Sequence, residues 1–155
     1  MSLIFSEVLD QVDKAKTKEE KISLLRAHSM PAYKGILRIN FDETVNMGLP
    51  PGEPPYKKEN GRPIGYQETN LITEFRRFYI WLDPKQNLAK IRKEKLFIEM
   101  LEGLHVSEAE IMCLVKDRDL QKKYKTITYD IVREAFPDLL PVKVKEKKET
   151  SIPLS

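Results

Sequence analysis

The chain is poor in the residue types that reaction chemistry usually concentrates. It has one cysteine, Cys113, in 155 residues, so no intrachain disulfide can form and a reducing compartment is the natural setting. Its two histidines, His28 and His105, stand far apart with no cysteine beside them, so no metal-ligand spacing is visible. None of its six glycines builds a Gly-x-Gly-x-x-Gly or Walker-type loop, which removes two familiar ways of cradling a phosphate with backbone. No apolar run approaches the roughly 20 residues of a membrane span. The start, Met1 to Glu7, lacks a basic region followed by a long apolar stretch, so no signal peptide is expected. An excess of either sign of charge is also missing. A net +3 permits nucleic-acid contact without arguing for it. The expectation is a soluble, non-secreted, intracellular protein with no cofactor, no metal and no small-molecule substrate.

Helical spacing is what the chain does have. Hydrophobic residues at 41% are enough for the core of one domain. Ile4, Val8, Leu9 and Val12 share one face of a helix near residues 3–15. Thr17-Lys18-Glu19-Glu20 has the form of a capping box and opens a second helix, which carries Ile22, Leu24 and Leu25 inward and ends near His28. Pro31 suits the first turn of a third helix containing Tyr33, Ile36, Leu37 and Ile39. Leu71, Phe75, Phe78 and Leu82 mark a fourth, with Ile72 and Tyr79 widening its stripe and a break at Asp83-Pro84. Leu96 to Leu104 mark a fifth. Ser107-Glu108-Ala109-Glu110 reads as a second capping box, opening a sixth helix with Ile111, Leu114 and Val115 inside. Thr128 suits the N-cap of a last helix that buries Ile131, Val132, Ala135 and Phe136 and stops at Pro137. No alternating strand pattern of useful length occurs. The expected fold is all-α: one domain of about seven helices over 1–142, then a flexible Lys/Glu tail, 143–155.

Residues 42–67 interrupt this order. Gly48-Leu49-Pro50-Pro51-Gly52-Glu53-Pro54-Pro55 cannot continue a helix, because each proline fixes a backbone angle and removes a donor. A loop this long is either a proline-stiffened connector or a functional segment. Among single residues, Cys113 between Met112 and Leu114 reads as a packing residue. Histidines at helix ends read as caps or surface residues. Glu108 and Glu110 read as capping carboxylates in a helix's first turn. Trp81, with Tyr79 and Phe78, is either core or a stacking platform for single strands.

Two basic clusters remain. Lys85, Lys90, Arg92, Lys93 and Lys95 precede the fifth helix, and Lys116, Arg118, Lys122, Lys123 and Lys125 fill the elbow before the last. Either would hold phosphates by charge and free amide groups. Either would equally be a solvated surface, diluted by Glu94, Glu99, Asp117 and Asp119. Arg76 and Arg77, between Phe75 and Phe78, are expected to face outward.

Several stretches, in order, resemble one family. Thr17 to Lys21 with Leu24 to His28, then Ala32 to Asp42, then Leu96 to Leu104 and Ser107 to Val115, and finally Lys116-Asp117-Arg118-Asp119-Leu120 with the Phe136-Pro137-Asp138-Leu139-Leu140-Pro141 tail resemble the N-terminal helical DNA-binding domain of phage ATP-dependent DNA ligases. The likeness covers most of the chain. It departs at the elbow, where ligases place a glycine and this chain has Gln121-Lys122-Lys123-Tyr124-Lys125-Thr126. No glycine here follows an aspartate, so the Lys-x-Asp-Gly setting of the ligase nucleophile is absent. The whole chain also looks like an uncharacterised family of small myovirus proteins. The resemblance implies a non-enzymatic phage accessory protein in the cytoplasm of the bacterial host. It would grip duplex DNA backbone through Lys116, Arg118, Lys122, Lys123 and Lys125, with Lys90, Arg92 and Lys93. The alternatives are an adaptor for a replication or transcription protein, working through the proline-rich loop or the tail, and a virion component.

Overall fold

Helix starts and stops written in the sequence account for most of the architecture. The computed structural model describes residues 4–58, 63–64, 67–83 and 85–140. Among these there are eight α-helices, two 3₁₀ turns and no strand. The helices are α1 (Phe5–Lys14), α2 (Lys18–Ala27), α3 (Pro31–Phe41), α4 (Leu71–Glu74), α5 (Tyr79–Leu82), α6 (Lys90–Gly103), α7 (Val106–Lys116) and α8 (Tyr129–Ala135). The 3₁₀ turns are Phe75–Arg77 and Leu120–Lys122. The expected tail at 143–155 lies outside the described residues.

The caps explain the boundaries. Thr17 and Glu20 form the capping box at α2: the Glu20 amide donates to Thr17 Oγ1 at 3.1 Å and the Thr17 amide to Glu20 Oε1 at 3.2 Å. Pro31 occupies the first turn of α3, and Thr128 Oγ1 accepts from the Ile131 amide at the start of α8. Long side chains close two C-terminal ends. The Lys21 ammonium, almost fully buried, donates to the carbonyls of Val12, Asp13 and Ala15 at the end of α1 and to Thr126 Oγ1. Arg26 donates to the carbonyls of Glu134 and Ala135 at the end of α8. A cation suits that end of a helix, where unpaired carbonyls gather.

α7 is the centre. It packs against α1, α3 and α6, while α2 bridges α1 and α8. Ala109, Ile111, Met112 and Val115 are fully buried, as expected for a helix apolar nearly all round. Phe5 stacks on Tyr33 with ring centroids 4.5 Å apart, and Phe78, Trp81 and Phe97 meet edge to face.

Three local expectations are corrected. The fourth helix is split: α4 tightens into the 3₁₀ turn at Phe75 before α5 resumes, and the Phe75 ring lies against Gly35, where a Cβ would fall 2.3 Å from it. Ile72 and Tyr79, expected in the buried stripe, are exposed. The second capping box does not form. His105 takes the N-cap position, its Nδ1 accepting from the Ser107 amide at 3.2 Å. Glu108 turns inward instead. Its carboxylate is fully buried and accepts from the Phe5 amide at 3.0 Å and the Leu71 amide at 3.1 Å. These are the first amides of α1 and α4, so one carboxylate serves two helix starts, where negative charge is favoured. Burial pushes the Glu108 carboxyl above its ordinary range, an effect the two amides reduce and nearby Glu7 adds to.

Candidate nucleic-acid interface

The proline-rich loop is a fastened strap. Its entry is held by Arg118, whose guanidinium donates to the carbonyls of Ile39 and Asp42, both at 2.7 Å, and to those of Glu43 and Val45. Its middle is held by Lys116, which donates to the Pro50 carbonyl at 2.8 Å, and by Asp117, which accepts from the Gly52 amide at 2.9 Å. Beyond the prolines, the Lys57 amide donates to Glu102 at 2.9 Å. Met47 is buried, and Leu49 and Tyr56 pack against the core. A cleft of about 220 Å³ lies between the strap at 49–55 and Glu94, Phe97 and Lys116.

This fastening decides which elbow cations face solvent. The Lys116 side chain is 2% exposed and also pairs with Asp117 at 2.9 Å. Arg118 sits in left-handed backbone, φ 62°, as the residue just past the end of α7. Its amide bonds the Val115 carbonyl and the Asp119 amide bonds the Leu114 carbonyl, the doubly bonded Schellman stop that usually carries glycine. Lys116 and Arg118, both expected to meet phosphate, ligate backbone carbonyls of the protein itself. Lys122 is 73% exposed but pairs with Asp119 at 3.2 Å. Lys123 pairs with Glu110 and lies over the Tyr124 ring. Lys125 is exposed and has no ion pair among the described residues.

The second cluster is more open. Residues 71–95 carry seven basic residues against three acidic ones, a local +4 that exceeds the +3 of the whole chain. Arg76, Lys85, Lys90, Arg92 and Lys95 are exposed. Among the described residues Arg77 pairs with Glu74 at 3.5 Å, and none of the other exposed cations of this segment forms an ion pair. Lys93 is half-buried, and its Nζ reaches the strap, 3.8 Å from the position a Gly48 Cβ would take. α6 begins among these cations with no side-chain cap and no acidic residue in its first turn, so its first amides have no side-chain acceptor at the N-cap. Trp81 fixes the segment to the fold, its indole N–H donating to the Lys93 carbonyl at 3.0 Å. Trp81 is core. Tyr79, 54% exposed, is the aromatic that faces out.

Sequence reasoning had no means of separating the two clusters, because burial depends on which carbonyls the strap brings to the elbow. The remaining candidates hold structural positions. His28 and His105 are caps, as expected. Cys113 is buried, and burial pushes its thiol up to about 11, so it is protonated packing at neutral pH. No group of three or more metal-binding side chains occurs among the described residues, and no helix among them is long and apolar enough to cross a membrane.

The profile of a family of unknown function (DUF6433) matches residues 8–122, a span that takes in the strap, the cluster from Lys85 to Lys95 and the elbow as far as Lys122. No curated protein and no solved structure matches the chain.

Proposed function

The chain belongs to the DUF6433 family, and from that starting point we propose that it is a non-enzymatic DNA-binding accessory protein that contacts duplex backbone through exposed basic loops. The supporting observation is the exposed cation set Arg76, Lys85, Lys90, Arg92 and Lys95, without an ion pair among the described residues, along the segment that leads into and past the uncapped start of α6. Phosphate oxygens suit both features, since ammonium and guanidinium groups supply charge and free amides supply directed donors. Lys122 and Lys125 are further exposed cations, on the elbow. Lys116 and Arg118 act indirectly, by holding the strap and the elbow in shape. The ligase-like order of elements is a second support, although the grip moves from the elbow to the segment before α6.

A salt series of duplex retention tests this reading. Log affinity falls linearly with log salt, with a slope of about 0.9 for every phosphate a protein neutralises. Charge reversal at Lys90 and Arg92 should therefore flatten that slope by about 1.8. If duplex is not retained at low salt, or if the reversal leaves the slope unchanged, the reading is wrong.

The strap supports a second reading, a protein-binding adaptor. Pro50, Pro51 and Pro55 are exposed on backbone that bends at Pro51-Gly52 and is already tied down, and an ordered proline segment loses little entropy on docking into a partner's groove. Substituting Pro51 and Pro55 with alanine should then abolish capture of a host or phage replication or transcription protein, and unchanged capture would remove the strap from that role.

A further inference from the structure

The aromatic residues of the segment 71–82 divide into two sets. Phe75, Phe78 and Trp81 turn inward and pack on one another. Tyr79 turns outward, and so do Ile72 and Arg76. Glu74, Phe75 and Phe78 keep right-handed helical backbone through the 3₁₀ turn, where a step of three residues sets side chains one above another, so Arg76 and Tyr79 share a row with Ile72 one turn before them. Large hydrophobic residues are exposed at only four described positions, Ile64, Ile72, Tyr79 and Ile91, so finding two of them in one row with a cation between is a concentration and not scatter. Arg76 has no carboxylate partner among the described residues, whereas its neighbour Arg77 pairs with Glu74.

An aromatic face one turn from a free guanidinium matches the repeating unit of an unpaired strand, in which each base lies one short linker from a phosphate. We propose that the Ile72–Arg76–Tyr79 row binds single-stranded nucleic acid, with the Tyr79 ring stacked on a base and Arg76 on the adjoining phosphate. Paired bases offer no face to the ring, so duplex would engage the cations alone. The local +4 selects a polyanion over an apolar peptide. This inference rests on the phosphate-contact reading above and adds to it the kind of strand and the residue that distinguishes it.

The test compares an oligothymidylate with a blunt duplex of equal length by fluorescence anisotropy, using the full chain. Tyr79→Ala should weaken oligothymidylate binding about tenfold or more, the scale of one base stack, and leave duplex binding within twofold. Tyr79→Phe keeps the ring and should bind as wild type. Tyr79 is more than half exposed, so the fold should survive, and unchanged helical circular dichroism checks this. If Tyr79→Ala leaves oligothymidylate binding within twofold while duplex is still retained, the row is no base platform, an acidic protein surface becomes its occupant, and the phosphate reading stands. If neither nucleic acid is retained at low salt, both fall.

Discussion

Replacing Arg118 separates a structural arginine from a ligand-binding one. Its guanidinium serves carbonyls at the end of α3 and the start of the strap, with the Ile39 and Asp42 contacts at 2.7 Å. Hydrogen bonds from a charged donor contribute about 1.5–3 kcal/mol each. The site is half-buried, so water recovers part of the loss, and Arg118→Ala should cost about 3–4 kcal/mol. Backbone geometry adds a second, independent term. At φ 62° a Cβ is strained by about 1 kcal/mol, and glycine is not. Arg118→Gly loses the same hydrogen bonds but relieves that strain, so it should be more stable than Arg118→Ala by about 1 kcal/mol, although glycine ordinarily destabilises. Urea unfolding followed by circular dichroism measures both. With m values of about 1–3 kcal/mol per molar, the alanine midpoint should fall by more than about 1 M. An alanine variant within about 0.5 kcal/mol of wild type would refute the structural assignment. Alanine at least as stable as glycine would refute the claim of backbone strain.

Four further outcomes are expected. Gly35→Ala should destabilise by about 1–3 kcal/mol, because its Cβ would meet the Phe75 ring at 2.3 Å; thermal unfolding measures it, and a neutral result would mean the ring moves freely. Lys116→Ala removes the tie to the Pro50 carbonyl and should speed proteolytic cleavage within 42–58 while the helices remain intact; unchanged cleavage would show that the strap needs no such tie. Burial raises the Glu108 carboxyl, so the folded state holds its proton to higher pH than the unfolded chain. Stability from this group therefore falls as pH rises above the ordinary carboxylate range, and the advantage of wild type over Glu108→Gln should shrink over that rise; a gap constant with pH would be evidence against it. Asp42 has the opposite sign: burial works against its charge, but hydrogen bonds from Thr44 and Arg38 outweigh this and hold its carboxyl below the ordinary range. Its contribution is present above that range and lost as pH falls through the lowered value, so Asp42→Asn should flatten the acid limb of the unfolding curve.

Local signals were readable in the sequence and long-range ones were not. The capping box at Thr17, Pro31 in the first turn of α3, and Thr128 before α8 depend on residues a few positions apart, and each places a helix start correctly. The second capping box had the same spelling and failed, because the helix starts earlier with His105 as its N-cap, which puts Ser107 inside the helix and lets Glu108 reach Phe5 and Leu71, partners that no local pattern contains. At the elbow, too, the deciding partners are distant in sequence. Lys116 and Arg118 look like any basic pair until the strap brings carbonyls from 39–50 beside them. Tyr79 misled because the helical stripe was extended through a segment that tightens at Phe75, and the tightening shifts which side faces out.

The buried Glu108 carboxylate has a consequence for how the molecule assembles. It joins positions 103 and 37 residues away along the chain. During synthesis, the first turn of α1 and that of α4 must wait for residue 108 to leave the ribosome before their leading amides find an acceptor. Early helices should therefore form only loosely until late in translation, and a fragment ending before α7 should lack a cooperative melting transition.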